Sequence, residues 1–302
     1  MERRKAIFEP KDLAIGLSSI CLVLITALAG SAQKAGKDPS FSVLRRGVGI
    51  ISQNTPVAVS ASTAGGAYFT SDFDGDGVPD AGTFEKASRL FTIRRSSDGS
   101  TLLASVPQFK GRPAIANADY DGDGLADPAI WHNGMWQKLL STRGWSADLS
   151  IFGIAGDVPV PADYDGDGRA DLAIFRPAEN RWYIQSSGSG KVTTFDFGIA
   201  GTDLLLPADY TGDGKADLAV YRSGVWHYID SDTGKREQME FGFDGGRPVP
   251  SDVDRDGTVD LVVFRKVSWY VYTGDGLVSY KFGAEEDVPL SVVPVRDSMA
   301  GR

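Results

Sequence analysis

An acidic nine-residue phrase, Asp-x-Asp-Gly-Asp-Gly-x-x-Asp, recurs five times, beginning at Asp72, Asp119, Asp163, Asp209 and Asp252. It takes up 19 of the 40 acidic residues. Carboxylates two positions apart repel and raise one another's pKa unless a cation lies among them. Each phrase therefore predicts a bound positive ion. Hard oxygen donors at alternate positions of a glycine-containing turn suit Ca²⁺, which takes about six to eight oxygens in a tolerant geometry.

By analogy with the EF-hand loop, positions 1, 3 and 5 would donate side chains, position 7 a backbone carbonyl, and position 9 a closing carboxylate. The candidate ligands are Asp72, Asp74, Asp76, Val78 and Asp80 in the first loop, and Asp119, Asp121, Asp123, Leu125 and Asp127 in the second. The third offers Asp163, Asp165, Asp167, Arg169 and Asp171. The fourth offers Asp209, Asp213, Lys215 and Asp217, and is the weakest because Thr211 stands where the others carry an acid. The fifth offers Asp252, Asp254, Asp256, Thr258 and Asp260, with Arg255 in place of a glycine.

Position 6 is glycine in every copy, as a residue held at positive φ would be. An EF-hand closes with Glu at position 12, whereas here Asp closes at position 9 and strand-like sequence follows at once, as in Leu172-Ala173-Ile174-Phe175. A β-hairpin loop is the expected host. Plain turn chemistry is the simpler alternative, but it does not require four carboxylates at fixed offsets.

Successive copies lie 47, 44, 46 and 43 residues apart, a period that suits one four-stranded propeller blade. Short runs of β-branched and aromatic residues bounded by Gly, Pro, Ser and Asn follow each loop. Other landmarks keep step: Phe175-Arg176, Tyr221-Arg222 and Phe264-Arg265, each followed by a tryptophan at Trp182, Trp226 or Trp269, and Phe-Gly pairs beginning at Phe152, Phe197, Phe241 and Phe282. The aromatic stripes are expected to be core between blades, and the arginines to brace a neighbouring blade's acid. Together these residues resemble the FG-GAP/VCBS repeat family, over roughly residues 41 to 295. The resemblance implies an all-β β-propeller holding up to five structural Ca²⁺ ions in hairpin loops and used outside cells for adhesion or binding.

The chain ends suggest how the ring closes. Val43-Leu44-Arg45-Arg46-Gly47-Val48 echoes Val220-Tyr221-Arg222-Ser223-Gly224-Val225, as a blade lacking its first strand would. Asp287-Val288-Pro289-Leu290 echoes Asp157-Val158-Pro159-Val160, with the acidic positions beyond it degraded to Val293, Val295 and Asp297. Six blades of four antiparallel strands are expected, the sixth closed by both ends, with five or seven as alternatives.

Residues 1–32 read as a signal peptide or an uncleaved membrane anchor: Arg3, Arg4 and Lys5, an apolar run from Leu13 to Ala29, then Ala-x-Ala-like small residues. Residues 33–40 read as a linker and 296–302 as a tail. The expected location is secreted, cell-surface or periplasmic, with membrane attachment only if the leader is retained. Cys21, the sole cysteine, lies in the apolar run, so no disulfide supports the exported chain. A net charge of −9 and a pI near 4.8 argue against nucleic acid as a partner.

The leading expectation is a monomeric, non-enzymatic binding or adhesion module for an extracellular protein or glycan. The alternative is a polysaccharide-acting lyase or hydrolase. Catalytic candidates are thin: His132 and His227 are the only histidines, neither at a recognisable spacing from a nucleophile, and His227 between Trp226 and Tyr228 reads as structural.

Overall fold

In the computed structural model, residues 42–45, 49–52, 67–243, 245–283, 285 and 288–290 are described. They form β strands and turns, with a single 3-10 turn at Ser141–Arg143. The chain opens with β1 (Ser42–Arg45) and β2 (Gly49–Ser52). Blade one is β3 (Ala67–Ser71), β4 (Asp80–Glu85), β5 (Leu90–Arg94) and β6 (Thr101–Ser105); blade two is β7 (Ala114–Ile115), β8 (Ala129–His132), β9 (Met135–Leu140) and β10 (Ser146–Ile151). Blade three is β11 (Val158–Pro159), β12 (Leu172–Arg176), β13 (Arg181–Gln185) and β14 (Val192–Asp196). Blade four is β15 (Leu204–Leu205), β16 (Leu218–Arg222), β17 (Val225–Ile229) and β18 (Arg236–Glu240). Blade five is β19 (Arg247–Pro248), β20 (Leu261–Arg265), β21 (Ser268–Thr273) and β22 (Gly276–Lys281), and β23 (Val288–Leu290) ends the set.

The molecule is an all-β propeller of antiparallel meanders, each four-stranded blade pairing its strands in chain order. Five such blades form, not the six expected. The chain ends do pair: β1 lies between β2 and β23, with Val43 opposite Pro289. That three-stranded sheet repeats the order of strands one to three of a blade. Residues 53–66, which follow β2, lie outside the described residues. The leader (1–32), linker (33–40), tail (296–302) and degraded acidic positions near Val293 are likewise outside them.

Burial explains the strand chemistry. Second strands are apolar on both faces, as in Leu218-Ala219-Val220-Tyr221, because a blade packs on each side of them. Third strands alternate, Arg181-Trp182-Tyr183-Ile184-Gln185 burying Trp182 and Ile184. Fourth strands are largely exposed, Val192–Asp196 throughout, and form the outer edge. The core is correspondingly a series of blade interfaces. One cluster joins Phe69, Phe84 and Phe91 to Ile130 and Leu139 of the next blade, and another joins Trp182 and Phe175 to Leu218 and Val220.

The tryptophans and Phe-Gly pairs belong to one device. Trp136, Trp182, Trp226 and Trp269 are fully buried, and their indole N–H groups donate to the carbonyls of Phe152, Phe197, Phe241 and Phe282 at 2.7–3.1 Å. Their role is core, as expected, and the phenylalanine carbonyl satisfies the one polar atom each carries inward. Two of the three repeated arginines also brace acids, though nearer home than expected, whereas Arg265 lies over the Phe243 ring. Arg176 grips Asp157 through two bonds of 2.9 and 3.0 Å, and Arg222 grips Asp203 at 2.6 and 2.7 Å, each acid sitting at the lead-in to the arginine's own blade.

Candidate metal centre

Each acidic phrase is the loop between the first and second strands of a blade. Its first aspartate organises the turn. Asp72 accepts from Gly75 N–H at 2.7 Å with one oxygen and from Gly77 N–H at 2.8 Å with the other, and Asp119, Asp163 and Asp209 repeat the pattern. The sixth-position glycines lie at φ between 74° and 89° with open space where a Cβ would be. Backbone conformation, not crowding, selects glycine there.

The ninth-position aspartate is a pin between two turns. Asp80, Asp127, Asp171 and Asp217 are fully buried and Asp260 nearly so. One oxygen of each accepts from the N–H at position 2 of its own loop: Phe73, Tyr120, Tyr164, Tyr210 and Val253, at 2.9–3.0 Å. In blades one to four the other oxygen accepts from Ser96, Ser141, Ser187 or Ser231 N–H, in the turn between strands three and four, at 2.6–2.8 Å. Burial pushes these carboxyls up, to about 6 for Asp80, Asp171 and Asp217 and about 7 for Asp127 and Asp260. The backbone bonds pull the other way, and the neighbouring carboxylates add to the rise.

In four loops, positions 1, 3 and 9 converge: Asp72, Asp74 and Asp80; Asp119, Asp121 and Asp127; Asp163, Asp165 and Asp171; Asp252, Asp254 and Asp260. One oxygen from each lies within 4.8 Å of the others. Opposed ligands of a Ca²⁺ ion with bonds of about 2.3–2.6 Å stand about 5 Å apart, so the sets match a coordination shell of that size. All the donors are hard oxygens. The fourth loop, with Asp209, Asp213 and Asp217, is not among these groups, in keeping with Thr211 at its third position.

Positions 5 and 7 sit differently. Asp76, Asp123, Asp167, Asp213 and Asp256 each accept from the N–H of position 7, namely Val78, Leu125, Arg169, Lys215 and Thr258. In blades one to four their second oxygen takes a hydroxyl bond from Ser96, Ser141, Ser187 or Ser231. Position 3 is served similarly, Ser97, Thr142 and Ser186 donating to Asp74, Asp121 and Asp165 at 2.5–2.6 Å. The sequence reading passed over these hydroxyl residues. Their signal is a serine 14 or 16 positions after each closing aspartate, replaced by Gly274 in the fifth blade.

A second feature lies between loops. The carbonyls of Asp72, Asp119, Asp163 and Asp209 accept from Ala126, Ala170, Ala216 and Val259 N–H, position 8 of the following loop, at 2.6–2.7 Å. The position-4 glycine lies against position 7 of the following loop. A Cβ on Gly75, Gly122, Gly166 or Gly212 would stand 2.7–3.0 Å from Leu125, Arg169, Lys215 or Thr258. The fifth loop has no acidic loop after it in the sequence, and there Arg255 occupies position 4 at φ 60°. The five loops thus run as a hydrogen-bonded belt along one end of the blades.

Residues 163–220, from the third acidic loop into β16, match the model of the FG-GAP-like repeat. No curated protein sequence matches the chain. Among solved structures, a lectin of Agrocybe aegerita described for recognition of non-reducing terminal N-acetylglucosamine is similar, with a TM-score of 0.53 and 17% identity over 80% of this chain and 74% of the lectin. A catalytically inactive virginiamycin B lyase from Staphylococcus aureus, determined with quinupristin, has a TM-score of 0.50 at 11% identity, covering 83% of this chain and 80% of the lyase. A functionally unknown protein from Desulfotomaculum acetoxidans has a TM-score of 0.50 at 13% identity, over 80% of each chain. At such identities these likenesses speak to the fold alone.

Proposed function

From a propeller that carries an FG-GAP-like repeat, we propose an exported, calcium-stabilised binding or adhesion module for an extracellular protein or polysaccharide. The observation that supports calcium is the convergence of three carboxylates in each of four loops, one of them buried. Three such groups at close range are stable as anions only with a cation among them. Positions 1, 3 and 9 would hold the ion, joined by the position-5 carboxylates and the position-7 carbonyls. The ion would supply charge neutralisation and a cross-link between turns that no disulfide provides.

No helix among the described residues is long and apolar enough to cross a membrane. Export rests on the leader-like residues 1–32, and outside the cell roughly millimolar Ca²⁺ fills even weak sites. The protein is proposed as a monomer without enzymatic activity. The test is binding of the purified protein to immobilised extracellular polysaccharides and proteins, in calcium and in chelator, with analysis of any products. Calcium-dependent retention of an unaltered ligand is expected. Release of shortened sugars, or no retention of either class, would overturn the reading.

A further inference from the structure

At the opposite end of the blades from the acidic loops, successive blades meet in equivalent clefts, and one of them is open. The residue after the buried tryptophan of strand three points to each cleft's chemistry. It is Tyr183 in blade three, His227 in blade four and Tyr270 in blade five, paired across the sheet with Ile174, Val220 and Val263. Tyr183 lies under the Arg176 guanidinium at 4.4 Å and donates its hydroxyl to Glu179. Tyr270 packs edge-on against Phe243 at 4.9 Å, and Arg265 covers the same phenylalanine. Between blades three and four the smaller His227 stands in the tyrosine position and Ile199 in that of Phe243. A groove of about 540 Å³ remains there.

The groove's charges are largely spent on one another. Arg222 is held by Asp203, Asp196 by Arg181, and Glu179 by Tyr183 and Arg176. Arg236 donates to the Asp196 carbonyl and lies over Phe197. Apart from Glu237, for which no side-chain partner is seen among the described residues, what is left for a ligand is uncharged or nearly so. The His227 ring and the Gln238 amide, directly opposite each other across β17 and β18, make no hydrogen bond among the described residues. Asn180 uses its oxygen on Ala200 N–H and keeps its amide hydrogens. Burial and the Arg222 charge hold His227 below the ordinary histidine range, so at neutral pH the ring presents both a donor and an acceptor. Phe197 and the half-exposed Ile199 form an apolar wall.

We propose that the cleft between blades three and four is a binding site for a neutral sugar unit, one or two residues in size. The hydroxyls would bond His227, Gln238 and Asn180, and the sugar's C–H face would lie on Ile199, beside the Phe197 ring that Arg236 covers. An anionic ligand would meet Glu179, Asp196 and Glu237, and a cationic one would meet Arg222 and Arg236, so neither ionic class is favoured. The volume agrees with a small ligand in a pocket of about 300–1,000 Å³. This inference rests on the binding-module reading and names its ligand class and place.

The test uses the full chain in calcium on an array of neutral and acidic glycans, followed by titration of the strongest neutral glycan with the wild type, His227→Tyr and Gln238→Ala. His227→Tyr restores the filling found in the neighbouring clefts; Gln238 lies on an exposed outer strand, so Gln238→Ala leaves the fold intact and decides the matter if the first variant melts early. Expected are neutral-glycan binding by the wild type and a loss of about tenfold or more in each variant. Binding confined to acidic glycans, or no glycan binding, overturns the proposal. So does wild-type affinity in Gln238→Ala and in a folded His227→Tyr, an outcome that leaves the binding module standing and removes only this groove. Retention of a protein without any glycan has the same meaning, whereas retention of neither removes both readings.

Discussion

Within one acidic loop, the aspartates divide the work by position. Asp171 receives two part-buried backbone N–H groups, from Tyr164 and Ser187. Asp171→Ala leaves both unpaired, and a loss of about 3 kcal/mol is expected in chelator as well as in calcium, read from denaturant melts. Asp165→Ala, at a more exposed ligand position, is expected to cost under about 1 kcal/mol in chelator and to remove a calcium-dependent increment. Acid dependence follows from the buried pins. Their folded pKa lies at about 6 to 7 against an ordinary 3.8, so between those values the ion-free folded chain carries more protons than the unfolded one. Stability of the ion-free protein therefore falls as pH rises through that window. In chelator the melting temperature is expected to drop from pH 5 to pH 7.5; in calcium, where the ion replaces the proton, it is expected to hold or rise. The acidic spacing made positions 1, 3 and 9 legible in advance. It was silent on the serines, because one hydroxyl in a turn looks like any other until its distance to the carboxylate is known.

At the level of strands and loops, the tryptophan of strand three and the Phe-Gly carbonyl form a unit that period alone did not connect. Trp182→Phe keeps most of the bulk and loses the bond to Phe197, for an expected cost of about 1 to 2 kcal/mol. Trp182→Ala also empties a fully buried site and is expected to cost about 3 to 5 kcal/mol. Between loops, Gly122→Ala is expected to cost about 1 kcal/mol or more. The residue lies at φ 81° and its Cβ would press on Arg169. Arg255→Gly, at the same position of the last loop, is expected to be neutral or stabilising, and thermal melts of the two variants separate these outcomes. Sequence alone showed Arg255 only as an irregular copy. It becomes intelligible once the following loop is seen to be what excludes a side chain at position 4.

For the molecule as a whole, the period of about 45 residues and the turn chemistry were enough to read an all-β propeller, because each blade buries its second and third strands against its neighbours. Blade number was less legible. The echoes at Val43 and Val288 predicted that the chain ends would meet, and β1 does pair with β23, but the sheet they form has three described strands and not four. Deleting residues 288–302 would leave β1 with an open edge and is expected to lower the melting temperature by about 5 to 10 °C, whereas deleting 296–302 alone is expected to change little. The acidic belt binds these scales together, since the same loops that gather carboxylates also hydrogen-bond blade to blade. If each filled site has a dissociation constant of about 10⁻⁴ M, roughly 1 mM Ca²⁺ adds about 1.4 kcal/mol per site. Isothermal titration of the metal-stripped protein with calcium, paired with thermal melts in calcium and in chelator, reads this at once. Uptake of at least four ions with a clear rise in melting temperature is expected; no heat of binding and superimposable melts would contradict a calcium-braced propeller.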